Sequence, residues 1–306
     1  VKVLRSVFIA LSRSKGLRGF SERSKMGHAV SGRFVAGMTV EEAVAVCERV
    51  NAEGIAVSLD SLGESVATEQ EARGAAEVYH RLLDSIVSKN LNANVSLKLT
   101  QMGMDIDPGL AEGIVGEVLE HAARAGSFVR IDMEGSEYTE ATIAMTERLH
   151  ARFSGSVGTV LQAYLFRTEA DTERLLAQRI RIRLCKGAYK EPAEIAFPAK
   201  SDVDVNYVKL MKRMATSGVF CGLATHDEAI VDQMLDFVRT KGIAKDAFEF
   251  QMLYGVRRDL QQRLAREGFG VRVYIPFGTA WYPYFMRRLA ERPANVLFLA
   301  RNFFRS

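Results

Sequence analysis

The sequence predicts an α/β fold, a closed (β/α)8 TIM-like barrel. Eight short runs rich in β-branched residues recur along the chain with helical patterns between them. Such strict alternation implies a parallel sheet with crossover helices, and eight units in roughly 250 residues is the size of a closed barrel. The rival doubly wound sheet would place a GxGxxG turn after its first strand, whereas this chain has Leu59-Asp60-Ser61-Leu62-Gly63 there.

The elements follow in chain order. The basic, partly apolar stretch 1–20 contains VFIAL, too short for a secretory core or a membrane span, and reads as a short amphipathic helix. Residues 1 to about 50 are expected to form an N-terminal helical segment outside the barrel, with 51–306 as the barrel domain. Thr39 and Glu42 have capping-box spacing, and Asp107-Pro108 opens a later helix. The strand runs are IAVSL (55–59), NVSLKL (94–99), FVRIDM (128–133), GTVLQAYL (158–165), RIRLC (181–185), VFCGLATH (219–226), FEFQMLY (248–254) and VRVYIPF (271–277). Glycines at 54, 126, 155, 218, 242 and 268 follow the helical runs, where a left-handed cap needs them.

Composition narrows the function classes. With 306 residues, 48% hydrophobic and 25% charged, the chain has the balance of an ordinary globular protein, not a disordered or disulfide-stapled one. Its net charge of +4 is scattered, without the clustering of a nucleic-acid footprint. Cys47, Cys185 and Cys221 lie far apart in apolar runs, as buried thiols in a reducing, cytoplasmic setting would. The five histidines have no metal-ligand spacing, so no protein-bound metal is expected.

Chemistry in a barrel gathers at the C-terminal strand ends. Those ends carry Lys98, Asp132, Gln162, Arg183 with Lys186, Thr225 with His226, Gln251, and Tyr274. Two lysines and an arginine call for an anionic ligand, and the two glutamine amides suit a heteroaromatic edge, a mixture that fits a large cofactor. A Schiff-base enzyme using Lys98 or Lys186 is the alternative left open by these residues. Beyond the last strand, helical spacing brings Tyr284, Arg287, Arg288 and Glu291 together, and adjacent guanidinium forks match a carboxylate.

The motifs SLKLTQMG, RIDMEG, VLQAYL, RLCKGAYKEP, ATHDE, FEFQMLYG and YIPFGTAWYPYFMRRLAERP resemble the proline dehydrogenase family over about residues 96–293. The resemblance implies a distorted barrel whose last helix lies over the barrel top, and a non-covalently bound FAD. It implies flavin contacts from Gln162, Arg183, Lys186, Gly187, Ala188, Thr225, His226 and Glu291. It places Lys98, Asp132, Tyr274, Tyr284, Arg287 and Arg288 in the substrate pocket, with Leu184, Ala188, Tyr189 and Leu253 completing its walls. One departure is Cys185, where the family often has valine. The implied reaction oxidises L-proline to 1-pyrroline-5-carboxylate and passes the electrons to a membrane quinone. A monofunctional enzyme is expected, with a second enzyme completing the oxidation to glutamate. It would be cytoplasmic, in peripheral contact with the inner face of the cell membrane through its basic N-terminal helix.

Overall fold

A computed structural model describes residues 32–286 apart from positions 64, 190, 283 and 285. The amphipathic stretch 1–20 therefore lies outside the described residues, as do Arg287, Arg288 and Glu291. The helix expected over the barrel top is described only at Trp281, Tyr282, Tyr284 and Met286.

Eight parallel strands close in sequence order, β1 through β8, with β8 pairing back to β1. They are β1 (Ala56–Ser61), β2 (Ala93–Lys98), β3 (Val129–Asp132), β4 (Val157–Gln162), β5 (Arg181–Cys185), β6 (Cys221–Ala224), β7 (Phe248–Leu253) and β8 (Gly270–Phe277). All eight coincide with the predicted runs. The intervening helices are α2 (Glu69–Ser88), α3 (Pro108–Arg124), α4 (Thr139–Arg152), α5 (Thr168–Ala177), α6 (Lys200–Ala215), α7 (Glu228–Lys241) and α8 (Arg258–Arg266). A helix before the first strand, α1 (Val40–Ala52), packs on both β1 and β8. It covers the seam left where β8 has no following crossover helix among the described residues.

Local signals set the helix ends as expected. Thr39 and Glu42 form a reciprocal capping box on α1, and the Asp107 carboxylate accepts from Leu110 N at the start of α3. A second capping box, Thr68 with Glu71, starts α2. The six glycines expected after helices all take positive φ, Gly242 (φ 65°) as the left-handed cap of α7.

The core has two unlike parts. Outside the strands, Val57, Leu59, Val95, Leu97, Tyr79 and Leu83 belong to one continuous apolar layer between sheet and helices. Inside, the strands bury Ser58, Asn94, Ser96, Arg130, Arg183, Glu249 and Gln251. Burying such groups costs less the more of them are paired, and here most are, although Arg130 Nε is left without a hydrogen bond. Arg130 donates to the carbonyls of Thr159 and Arg181, while Arg272 donates to Glu249, Asn94 and the Val57 carbonyl. Room for these long side chains comes from small neighbours: a Cβ on Gly222 would lie 2.4 Å from Gln251 Nε2.

Candidate active site

At the C-terminal end of the barrel, the strand ends surround a cavity of about 750 Å³. That volume is of the size that takes up small molecules and cofactors. Strand order divides its polar lining into two arcs.

One arc comes from β8, β1, β2 and β3. Lys98, at the end of β2, places Nζ 3.1 and 3.3 Å from the two carboxylate oxygens of Asp60 on β1. Asp132, ending β3, accepts from the Arg183 guanidinium at 2.8 Å and from the Tyr274 hydroxyl at 2.8 Å. The Tyr274 ring lies over that guanidinium, with its centroid 5.2 Å from Cζ. Burial pushes the Asp60 carboxyl up despite the opposing pull of Lys98. Burial, reinforced by the charges of Asp132 and Asp60, pushes the Tyr274 phenol well above its ordinary value of 10. A phenol held protonated in this way remains a donor.

The second arc comes from β4 to β7. The Gln162 amide is fixed at both ends: Nε2 donates to the Glu134 carbonyl at 3.0 Å and Oε1 accepts from Ala188 N at 3.3 Å. Arg183 is 5% exposed and lies at the cavity floor, where Nε donates to Gln251 at 2.5 Å and one terminal nitrogen reaches Ser58 and Ser96. Lys186 sits between Asp204 at 2.5 Å and Asp227 at 2.9 Å, and Lys200 pairs with the same two carboxylates. Burial pushes the carboxyls of Asp204 and Asp227 up, but the hydrogen bonds and charge from Lys186 prevail and leave both below their ordinary value. His226 accepts from Leu253 N through Nε2 at 2.9 Å, which leaves Nδ1 as the protonated nitrogen of a neutral ring.

The expected residues Lys98, Asp132 and Tyr274, Gln162, Arg183 and Lys186, Gly187, Ala188 and Tyr189, and Thr225, His226, Leu253 and Tyr284 all line this one cavity. Leu184 does not. On β5 the two neighbours Arg183 and Cys185 face the cavity, so alternation turns Leu184 outward into the apolar layer beneath the helices. The expectation that it walls the substrate pocket is thereby corrected.

Sequence reading missed Asp60, although it stands near the end of β1 as Lys98 stands at the end of β2. It also missed Asp204, Asp227 and Lys200, which come from helix starts, not strand ends. Among the described residues no group of three or more acidic, histidine or cysteine side chains is arranged to hold a metal ion. No described helix is long and apolar enough to cross a membrane.

The family model for proline dehydrogenase matches residues 43–301. Proline dehydrogenase 1 of Bacillus subtilis is 40% identical over 301 residues, covering 98% of each chain. Proline dehydrogenase of Deinococcus radiodurans is 41% identical over 283 residues, covering 91% of each. Among solved structures, proline utilization A from Bdellovibrio bacteriovorus inactivated by N-propargylglycine superposes with a TM-score of 0.82 at 23% identity. The match covers 94% of this chain and 36% of that one. At that identity the superposition speaks for the fold alone, and it agrees with the closed barrel described above.

Proposed function

The chain belongs to the proline dehydrogenase family, and from that premise we propose that it oxidises L-proline to 1-pyrroline-5-carboxylate with a bound FAD. This is the first step of proline degradation to glutamate. The observation that carries the reading is the division of the cavity lining into two adjacent arcs. Lys98, Asp132 and Tyr274, proposed for substrate, stand on β2, β3 and β8, which with β1 make one continuous arc. Gln162, Arg183, Lys186, Thr225 and His226, proposed for the cofactor, stand on or just after β4, β5 and β6.

The residues present fit FAD. A fixed glutamine amide and a guanidinium suit the edge of a heteroaromatic ring, and the ammonium of Lys186 with the Thr225 hydroxyl suits phosphate and ribose. Gly187 and Ala188 would hold it through the backbone, and Glu291 is assigned to it by family resemblance. When bound, FAD supplies the two-electron acceptor for hydride transfer.

The chain's own part is placement. The Lys98 ammonium attracts the proline carboxylate, with Arg287 and Arg288 assigned to the same task by resemblance. Asp132 holds Tyr274 and Arg183 in register, so that the substrate arc and the cofactor arc meet at one point. Tyr189, Leu253 and Tyr284 give the ring an apolar and aromatic wall. Such fixing of two reactants is mainly an orientation effect. A membrane quinone is the proposed final electron acceptor, reached by peripheral contact with the bilayer.

The Schiff-base alternative is disfavoured by the partners of both lysines. Lys98 is paired with Asp60 and Lys186 with two carboxylates, a setting unlike the apolar or cation-flanked pocket that frees an amine nucleophile. The test is the visible absorption of the purified protein. Flavin bands that bleach on adding L-proline are expected. A colourless protein inactivated by borohydride in the presence of its substrate would overturn the reading.

A further inference from the structure

The connection from β5 to α6, residues 186–199, carries Lys186, Gly187, Ala188 and Tyr189 onto the cavity wall. Modest apolar packing holds it there: Tyr189 and Ile195 are 41% and 39% exposed, Phe197 meets Phe166 edge-on, and of the described residues in this stretch only Ala196 is in a buried apolar cluster. Its backbone is tied to the end of β4 by a bridge between Leu165 and Ala196 and by Tyr164 N donating to the Lys186 carbonyl. Both ties are to the same neighbouring loop. A different kind of anchor comes from Glu191. Its carboxylate accepts from Ser136 N at 2.9 Å, from the Ser136 hydroxyl at 2.6 Å and from the Tyr164 hydroxyl at 3.3 Å. Ser136 lies four positions beyond Asp132 in the turn after β3, and Tyr164 lies two beyond Gln162.

We propose that Glu191 is a positioning residue, a carboxylate latch that joins the loops after β3, β4 and β5 and keeps the Ala188–Tyr189 wall closed against the cavity. Three strand ends supply Asp132, Gln162 and Arg183, and this carboxylate joins all three of their loops farther from the strands than the Gln162 amide does, which bonds Glu134 and Ala188. Charge-assisted hydrogen bonds to two hydroxyls and an amide are stronger than neutral ones, and they act on a loop with modest apolar packing to hold it otherwise. The Tyr164 ring that Glu191 helps to orient lies directly against Gly187, where a Cβ would come within 2.4 Å of ring carbon. Orientation at the latch is thus transmitted to the start of the wall.

The assignment of the cavity to proline rests on the function proposed above, whereas the latch is tested without it. Amide hydrogen exchange of the full chain as purified, with no proline present, is expected to quicken at residues 186–191 by about tenfold in Glu191→Ala. Glu191→Gln should restore most of the protection, because its amide oxygen still accepts from Ser136 N and the Tyr164 hydroxyl while its NH2 donates to the Ser136 hydroxyl oxygen. With proline, Glu191→Ala should raise KM about fivefold to tenfold while kcat stays within about twofold. Unchanged exchange in Glu191→Ala, or Glu191→Gln behaving no better than Ala, overturns the latch. Quickened exchange with wild-type KM overturns its positioning role. Failure of the wild type to turn over proline would strike the functional reading while the exchange result still decides on the latch.

Discussion

Asp132→Asn removes one negative charge from the point where the two arcs of the cavity meet. In the wild type its two oxygens are 2.8 Å from the Arg183 guanidinium and 2.8 Å from the Tyr274 hydroxyl. Breaking a buried ion pair by losing one partner costs about 3–5 kcal/mol, because a charge is left uncompensated. Here the loss should fall near the lower end. Arg183 keeps Gln251, Ser58 and Ser96 as acceptors, and the Asp132 side chain is 13% exposed toward the cavity. An expected cost of about 3 kcal/mol corresponds to a melting point lowered by about 5 °C for a chain of this size. Tyr274→Phe, which removes only a hydrogen bond to the same carboxylate, should cost about 1.5–3 kcal/mol at most. Because both changes touch one carboxylate, the double variant should cost less than the sum. Thermal and urea unfolding of the three variants supply the measurement. An Asp132→Asn protein melting within about 1 °C of wild type, or strict additivity with Tyr274→Phe, would refute the idea that Asp132 joins the two sides.

Gly187→Ala must place a methyl group against the Tyr164 ring at φ 126°, so strain and overpacking together should cost about 2–5 kcal/mol or displace the wall; a lowered urea midpoint, or weakened retention of the proposed FAD on gel filtration, checks it. Leu184→Ala should destabilise the fold by about 2–5 kcal/mol in urea while leaving the KM for proline unchanged, since the side chain faces the helices; a raised KM in a stable variant would return it to the pocket. Burial holds the phenols of Tyr79, Tyr207 and Tyr274 well above 10, so above that pH the unfolded chain releases protons that the folded chain keeps. Stability should then fall as pH rises, by up to ~1.4 kcal/mol per pH unit for each tyrosine, and urea midpoints at about pH 9 and 11 that agree would contradict this.

The strands were legible because each is a short, largely apolar run, most of them with β-branched or aromatic residues, and the helices because their starts carry side chains that satisfy free amides, as at Thr39 and Asp107. The ring of strand-end residues was legible for a related reason: a parallel closed barrel puts every C-terminal strand end on one face. Less legible were the carboxylates that pair with Lys186. Asp204 stands within α6 and Asp227 at the start of α7, and nothing in local spacing says that both turn toward Lys186. Leu184 was misplaced because its neighbours in the motif are functional, although period-two alternation alone would have turned it away.

What the sequence determined by itself was the order of elements, the barrel, the family and most residues that line the cavity, since these follow from local period and from motifs. Tertiary structure alone decided the partners. That Asp60 takes Lys98 and Asp132 takes Arg183 depends on which strands lie side by side and on how far each side chain reaches across the barrel interior. Such pairings join residues as far apart as Asp132 and Tyr274, 142 positions along the chain. A sequence records the identity of each charge but not the angle at which a closed, twisted sheet presents it. In a low-dielectric interior that angle settles which charges are compensated and which remain to meet a ligand.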